Sequence, residues 1–272
     1  LDIDLFNKSN SFNYAIESGE NTNDLDYSTT GSLSLNGGTI KDVAGNDADL
    51  TLFSPAAPGS LGHNKQLAID TTNPTVVSFT IDDSSLKKSE TATVTLEFSE
   101  AVSEFDSDVD ITTTSGSLSK MTSSDNITWT GTFTPTDDSE SSTNSLTLSN
   151  NYTDIVGNGG ITATTANFSV DTLTASVTSF VLDDTSLIKG ETATVVLVFS
   201  EAVSGFDSNA DITVQNGVLS QMTSGDNSSW TGTFTPTDDI EDTTGLLTLA
   251  DTYTDVAGNT GCLLYTSDAA DE

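Results

Sequence analysis

The sequence has no arginine, a single histidine, a single cysteine and few aromatic residues, at 7% of the chain. Without arginine, the seven basic residues are all lysines, set against 41 Asp and Glu, and the formal net charge is -34. A surface this acidic repels nucleic acid and anionic lipid, so neither is expected as a partner. It suits divalent cations, which would relieve the self-repulsion that such charge imposes on a compact state. One cysteine, Cys262, cannot form a disulfide within the chain, so the fold must rest on its core, on metals or on both. No apolar run approaches membrane-spanning length and no signal-peptide pattern is visible. Leu1 is not a start residue, and the N-terminus reads as cut from a longer chain.

Hydrophobic residues make up 34%, low enough to raise disorder as a reading. Alternation argues against it. Ala92, Val94, Leu96 and Phe98 alternate with Thr91, Thr93, Thr95 and Glu97, the period of a strand with one buried and one solvated face. Trp129, Gly131 and Phe133 alternate with threonines in the same way, and Ala166, Phe168 and Val170 are expected to point inward together. Clusters such as Asp82-Asp-Ser-Ser85 and Asp137-Asp-Ser-Glu140 separate these runs as turns, and no segment has a sustained helical period.

An internal repeat sets the architecture. Phe79-Thr-Ile-Asp-Asp83 recurs as Phe180-Val-Leu-Asp-Asp184, Phe98-Ser-Glu-Ala-Val102 recurs from Phe199, and Trp129-Thr-Gly-Thr-Phe-Thr-Pro135 recurs from Trp230. Every pair is offset by 101 positions without a gap. A repeat of about 100 residues is the size of one immunoglobulin-like sandwich. The expected fold is all-β, a tandem array of immunoglobulin-like antiparallel β-sandwiches with about seven short strands each. Residues 71–171 form a complete repeat and 172–261 a repeat lacking its last strand. Residues 1–70 read as the C-terminal part of a related module: Lys41-Asp-Val-Ala-Gly-Asn46 matches Thr153-Asp-Ile-Val-Gly-Asn158 and Thr254-Asp-Val-Ala-Gly-Asn259. Residues 262–272, Cys262-Leu-Leu-Tyr-Thr-Ser-Asp-Ala-Ala-Asp-Glu272, resemble a translated sequencing-library adapter, in which case Cys262 has no native role.

For catalysis the inventory is thin, and no enzymatic activity is expected. His63 lies in a Gly-rich stretch without a repeat equivalent, no serine sits in a nucleophile elbow, and zinc finds almost no His or Cys ligands. Trp129 and Trp230 read as core anchors, the alternative being exposed sugar-stacking residues. Carboxylates and carbonyls suit calcium, a hard cation taking roughly six to eight oxygens. In a sandwich the loops gather at two poles. The loop after the second strand carries Glu100, Asp106, Asp108 and Asp110, the loop before the last strand carries Asp154 and Asn158, and the linker delivers Asp70 to the same pole. The next repeat offers Glu201, Asp207, Asp211, Asp255, Asn259 and linker Asp171. At the opposite pole Asp82, Asp83, Asp137, Asp138 and Glu140 could face the following domain. The competing reading of these residues is a solvated acidic loop with turns favoured by Asp, Asn and Gly. A structural Ca2+ at the junctions would bind in the weak range of extracellular modules, roughly 0.1 to 1 mM.

The combination of Ile69-Asp-Thr-Thr-Asn-Pro74, Phe98-Ser-Glu-Ala-Val102, Trp129-Thr-Gly-Thr-Phe-Thr-Pro135 and Tyr152-Thr-Asp-x-x-Gly-Asn158 resembles the bacterial Ig-like repeats of giant adhesins, including large repeats-in-toxin adhesins. The resemblance covers residues 70 to 261. It implies secretion to the cell surface, a role as spacer repeats carrying a ligand-binding tip, partners that are the neighbouring Ig-like domains of the same chain, and calcium at domain junctions. Carried over, Asp70, Glu100, Asp154, Asn158, Asp171, Glu201, Asp255 and Asn259 become the foremost ligand candidates. Asp171 is followed by Thr-Leu-Thr-Ala175, without the proline that Pro74 supplies after Asp70, so the second junction is expected to be looser. Two other functions compete with the spacer: accessory modules of a secreted depolymerase, which need an exposed aromatic platform, and direct recognition by the repeats, which needs divergent loops. The acidic loops instead stay nearly constant between repeats.

Overall fold

The computed structural model describes residues 2–4, 9–11, 13–241, 245–261 and 264–265. In the first repeat the strand Val76–Ile81 pairs antiparallel with Ala92–Phe98, which pairs with Thr128–Pro135, which pairs with Gly116–Leu118. The strand Val76–Ile81 ends directly before the turn expected at Asp82-Asp-Ser-Ser85. The facing layer is made of short pieces. Phe168–Asp171 lies between Glu140–Asn144, antiparallel, and Ser85–Lys87, parallel. Thr147–Leu148 lies between Ala163–Thr164 and Ile111–Thr112. The second repeat repeats the first sheet with Val177–Leu182, Ala193–Phe199, Ser229–Pro236 and Gly217–Leu219. Its Leu247–Leu249 pairs with Ile212–Val214 on one side and with Leu264–Tyr265 on the other.

Alternation places the core. In Ala92–Phe98 every apolar residue is buried, and Phe79, Phe133, Leu148, Phe168 and Val170 close over them from both layers. The aromatic centre is Tyr152, with Phe98 at 4.9 Å and Phe105 at 6.3 Å between ring centroids. Phe199, Phe206 and Tyr253 repeat it at 4.9 and 6.3 Å. Trp129 and Trp230 are half-buried, packed edge-on against Phe105 and Phe206 at the border of each core rather than inside it.

One expectation fails locally. Ala166 does not point inward: it is exposed and Thr165 is buried in its place. The register of Glu140–Asn144 against Phe168–Asp171 shifts between Ser141 and Asn144, and Thr165 turns in to pair with Leu146, its hydroxyl accepting the Leu146 N–H at 3.0 Å. The phase breaks because residues 165–167 link two strands of different sheets: Ala163–Thr164 pairs with Thr147–Leu148, whereas Phe168–Asp171 pairs with Glu140–Asn144 and Ser85–Lys87. The described residues also include three single helical turns, Leu61–Asn64, Ser107–Asp110 and Ser208–Asp211. A single turn is too short to show a period, but each has a capping side chain before it: Ser60, Asp106 and Asp207. Among the described residues no helix is long and apolar enough to cross a membrane.

Residues 13–69 are built differently. Ile69 is their one buried apolar side chain among the described residues, and Tyr14, Ile16, Val43 and Phe53 are all more than half exposed. Thr22 and Ile69 exchange backbone hydrogen bonds, the counterpart of the ladder between Glu140–Asn144 and Phe168–Asp171. The segment thus carries the closing features of the repeat without its core.

The tyrosine at each core centre requires a glycine beside it. A Cβ on Gly160 would sit 2.4 Å from Tyr152 Cζ, whereas one on Gly159 would meet nothing within 4 Å. The Tyr152 ring is fully buried and its hydroxyl donates to Ile161 O at 2.9 Å, so it has nowhere to go. Gly160→Ala is therefore expected to destabilise the first repeat by about 1–3 kcal/mol, the usual cost of overpacking. Gly159→Ala should leave the denaturation midpoint within the scatter of surface substitutions, and equal effects from the two would contradict this packing.

Candidate metal centre

Each junction is organised around one buried aspartate. In the turn Asp154-Ile-Val-Gly-Asn158, Asp154 Oδ1 accepts the N–H groups of Val156, Gly157 and Asn158 at 2.9, 2.7 and 2.9 Å. Its Oδ2 accepts Asn158 Nδ2 at 2.7 Å. Gly157 takes a left-handed φ of 102°, which a side chain would resist, and so closes the turn. The same Asn side chain donates to the carbonyl of linker residue Asp70 at 3.1 Å, tying the loop to the incoming chain. The second repeat matches. Asp255 holds Gly258 and Asn259, and Asn259 Nδ2 donates to Asp171 O at 3.0 Å and Leu173 O at 3.3 Å. Asp42 and Asn46 form the turn a third time, with both bonds at 2.8 Å.

The aspartate fixes the loop, the loop fixes the linker, and the linker aspartate meets a glutamate from the end of the second strand. Asp70, Glu100 and Asp154 each offer a carboxylate oxygen within 4.8 Å of the others, and Asp171, Glu201 and Asp255 do the same. Asp154 and Asp255 are almost wholly buried, at 1% and 0% exposure, and the other four are half-buried.

Electrostatics divides the members. Burial alone would raise the Asp154 pKa, but hydrogen bonds from the Asn158 side chain and the loop N–H groups outweigh it and hold the carboxyl below its ordinary value. Glu100 lacks such donors: burial, then the charges of Asp70 and Asp154, push it up. Glu201 is raised by burial, then by Asp255, Asp171 and Glu140. Asp171 is raised by burial and Asp255, against a lowering hydrogen bond from Leu173 N–H. Glu201 Oε1 is shielded from solvent and accepts no hydrogen bond. The donor set is all oxygen, and it leaves negative charge and a buried lone pair without a counterpart. These residues could hold a hard cation.

Other candidates are not brought into the clusters. Asp110 is buried inside its own helical turn, where Oδ2 accepts Asp106 N–H at 2.8 Å and Oδ1 accepts Ser149 Oγ at 3.2 Å. Asp106 caps that turn and pairs with Lys120 at 3.2 Å. Asp211 likewise accepts from Asp207 N–H at 2.7 Å and from the Thr252 hydroxyl, and Asp207 is a cap. Asn158 and Asn259 act as donors to the cluster's aspartates, and Asn259 Oδ1 is occupied by the N–H of Lys88 at 2.7 Å. They position the site. Lys88, in the preceding repeat, was not legible as a junction residue because its contribution is a backbone N–H. The second linker, despite lacking proline, is held by that bond and by the two carbonyl contacts of Asn259. At the distal pole, Asp82 and Asp83 accept backbone N–H groups of Thr93 and Ser85, and Asp138 lies 3.6 Å from Lys88. Only Glu140 acts on the following cluster. His63 is exposed.

With this geometry the sequence matches the bacterial Ig-like domain family over residues 70–170 and again over 171–270. The chain belongs to that family, in two tandem copies. It is similar to solved structures of the Escherichia coli adhesin FdeC (13% identity, TM-score 0.41), of the Yersinia pseudotuberculosis adhesin InvE (14%, 0.31) and of invasin, a bacterial integrin-binding protein (17%, 0.35). Each similarity covers 70% of this chain, but 63%, 57% and 41% of the respective structures, less than two thirds of each. No curated protein matches.

The raised pKa of Glu201 has a defined sign. The folded state binds the Glu201 proton more tightly than the unfolded chain, so stability falls as pH rises through the folded pKa. In chelator at neutral pH, Glu201→Gln is expected to raise the melting temperature of the second repeat by a few degrees. The gap should close as pH falls toward the ordinary carboxylate range, where wild type is protonated too. A pH-independent gap in thermal scans would contradict the assignment.

Proposed function

We propose that this chain is a run of non-catalytic extender repeats of a bacterial cell-surface adhesin, stiffened by calcium held in the carboxylate clusters at its domain junctions. The observation that carries the reading is the repeated convergence of a linker aspartate, a strand-end glutamate and a buried loop aspartate at both junctions. A cation held by all three would bridge the linker to the body of the domain it enters, and so restrict the angle between successive domains. Asp70, Glu100 and Asp154 would hold the first ion, and Asp171, Glu201 and Asp255 the second. When bound, the ion supplies only charge and coordination. The chain's own part is to bring the oxygens together, which the Asp154 and Asp255 turns do.

A spacer needs length and stiffness, and repetition supplies length without new chemistry. The reading places the chain outside the cell, where weak calcium sites of roughly 0.1–1 mM fill. Accessory sugar-binding modules of a secreted depolymerase are the competing reading. They call for an open aromatic platform, whereas the indoles of Trp129 and Trp230 are packed edge-on against phenylalanines.

Small-angle scattering and thermal unfolding of the chain in millimolar calcium and in chelator test the proposal. A longer, stiffer particle with a melting temperature raised by several degrees is expected in calcium. Asp171→Ala should abolish the gain at the second junction while retaining it at the first. Identical profiles in calcium and chelator would leave a plain array of sandwiches and reject the metal.

A further inference from the structure

The two junctions carry different charge, and the difference comes from the repeat that precedes each. In the second junction Glu140 is the direct antiparallel partner of Asp171. Directly opposed residues in such a ladder share a face, with Cβ atoms about 5 Å apart. A carboxylate from the first repeat therefore stands beside a member of the second repeat's cluster, outside the group of three whose oxygens converge. On its other side Asp171 is paired in register with Lys87, whose ammonium lies 3.7 Å from Glu90. In the first junction the bridge between Thr22 and Ile69 sets Asn21 opposite Asp70 in the place of Glu140. Asn21 is neutral and its amide is engaged: Oδ1 accepts Thr71 N–H at 2.7 Å and Nδ2 donates to Thr72 Oγ1 at 2.9 Å. The solvent-shielded oxygen without a hydrogen bond, Glu201 Oε1, also lies in the second cluster.

Resting on the calcium reading above, we propose that Glu140 is an affinity-setting residue that makes the junctions unequal, so that the second fills with calcium first and the array stiffens in two steps. Ligand charge count tunes calcium sites over orders of magnitude. Glu140 is exposed, so it acts through its field at the rim of the cluster, and the effect is screened by salt. A unit charge several ångströms from a divalent ion is worth about five- to tenfold in affinity at low ionic strength.

The test is a calorimetric calcium titration of the whole chain at low salt, with its Glu140→Gln, Glu241→Gln, Asn21→Glu, Glu201→Gln and Glu100→Gln variants. Glu241 occupies the position of Glu140 one repeat later, so its substitution changes the net charge equally while leaving both junctions intact. Wild type is expected to show two classes of site about five- to tenfold apart. Glu201→Gln should remove the tighter class and Glu100→Gln the weaker. Glu140→Gln should bring the tighter class down to the weaker, Asn21→Glu should tighten the weaker, and Glu241→Gln should change neither. Thermal unfolding in chelator checks that the variants fold. Two equal sites in wild type, or matching losses from Glu140→Gln and Glu241→Gln, would overturn this inference while leaving the calcium reading standing. The absence of any calcium uptake by folded wild type would reject both.

Discussion

The buried aspartate of the Asp-x-x-Gly-Asn turn is the constraint on which the junctions depend. Asp154 and Asp255 sit at the end of a strand, next to the tyrosine at the centre of the core, and are as buried as the apolar residues around them. A buried carboxylate is costly unless its lone pairs are satisfied. Here the loop satisfies them by folding back, one oxygen taking the backbone N–H groups and the other the Asn side chain. Solvation of one charge therefore dictates the conformation of five residues, and the Asn that completes the shell has a second N–H left for the carbonyl of the linker aspartate. Core packing, loop shape and linker position form one chain of cause.

That chain delivers a third acid to a place where two already stand. Asp154 is stabilised as an anion, while Glu100 and Glu201 are raised by burial and by their neighbours. A turn needing only a cap would require the first and not the second. The glutamate adds repulsion without hydrogen bonds to offset it, and in the second repeat one of its oxygens is orphaned. Perturbed acids of this kind tend to gather at functional positions, which is the ground on which the calcium proposal stands.

Much of this was legible in the residues. The 101-residue offset defines the repeat, alternation places the buried face of Ala92–Phe98, and the common pole brings Asp70, Glu100 and Asp154 together. Composition could not separate those acids from Asp106 and Asp110, which lie in the same loop. The difference is local: Asp106 caps a single helical turn and Asp110 closes it from within, and a turn of four residues leaves no periodic trace. The asparagines were placed correctly, but their role as donors follows from which way the amide faces. Ala166 falls out of phase because the chain leaves one sheet at Thr164 and joins another at Phe168, and alternation does not carry across that change. Glu140 was visible as one of several distal acids, and only the register singles it out.

The two linkers are restrained in different ways. Proline at 74 restricts the first linker through its own backbone, an effect readable in isolation. The second linker has no such residue, yet Asn259 holds it by two carbonyls and is itself held by the Lys88 N–H of the preceding repeat. Thr172, fully buried, adds a bond to Ser139 through its backbone and one to Thr136 through its hydroxyl. Restraint in the second junction is distributed over contacts between domains, and these depend on the Asp255 turn keeping its shape. The acid that organises the cluster also positions the asparagine that docks one repeat on the next. Interdomain geometry and the convergence of carboxylates are consequently two readouts of the same buried charge, and a change that relaxes one must relax the other.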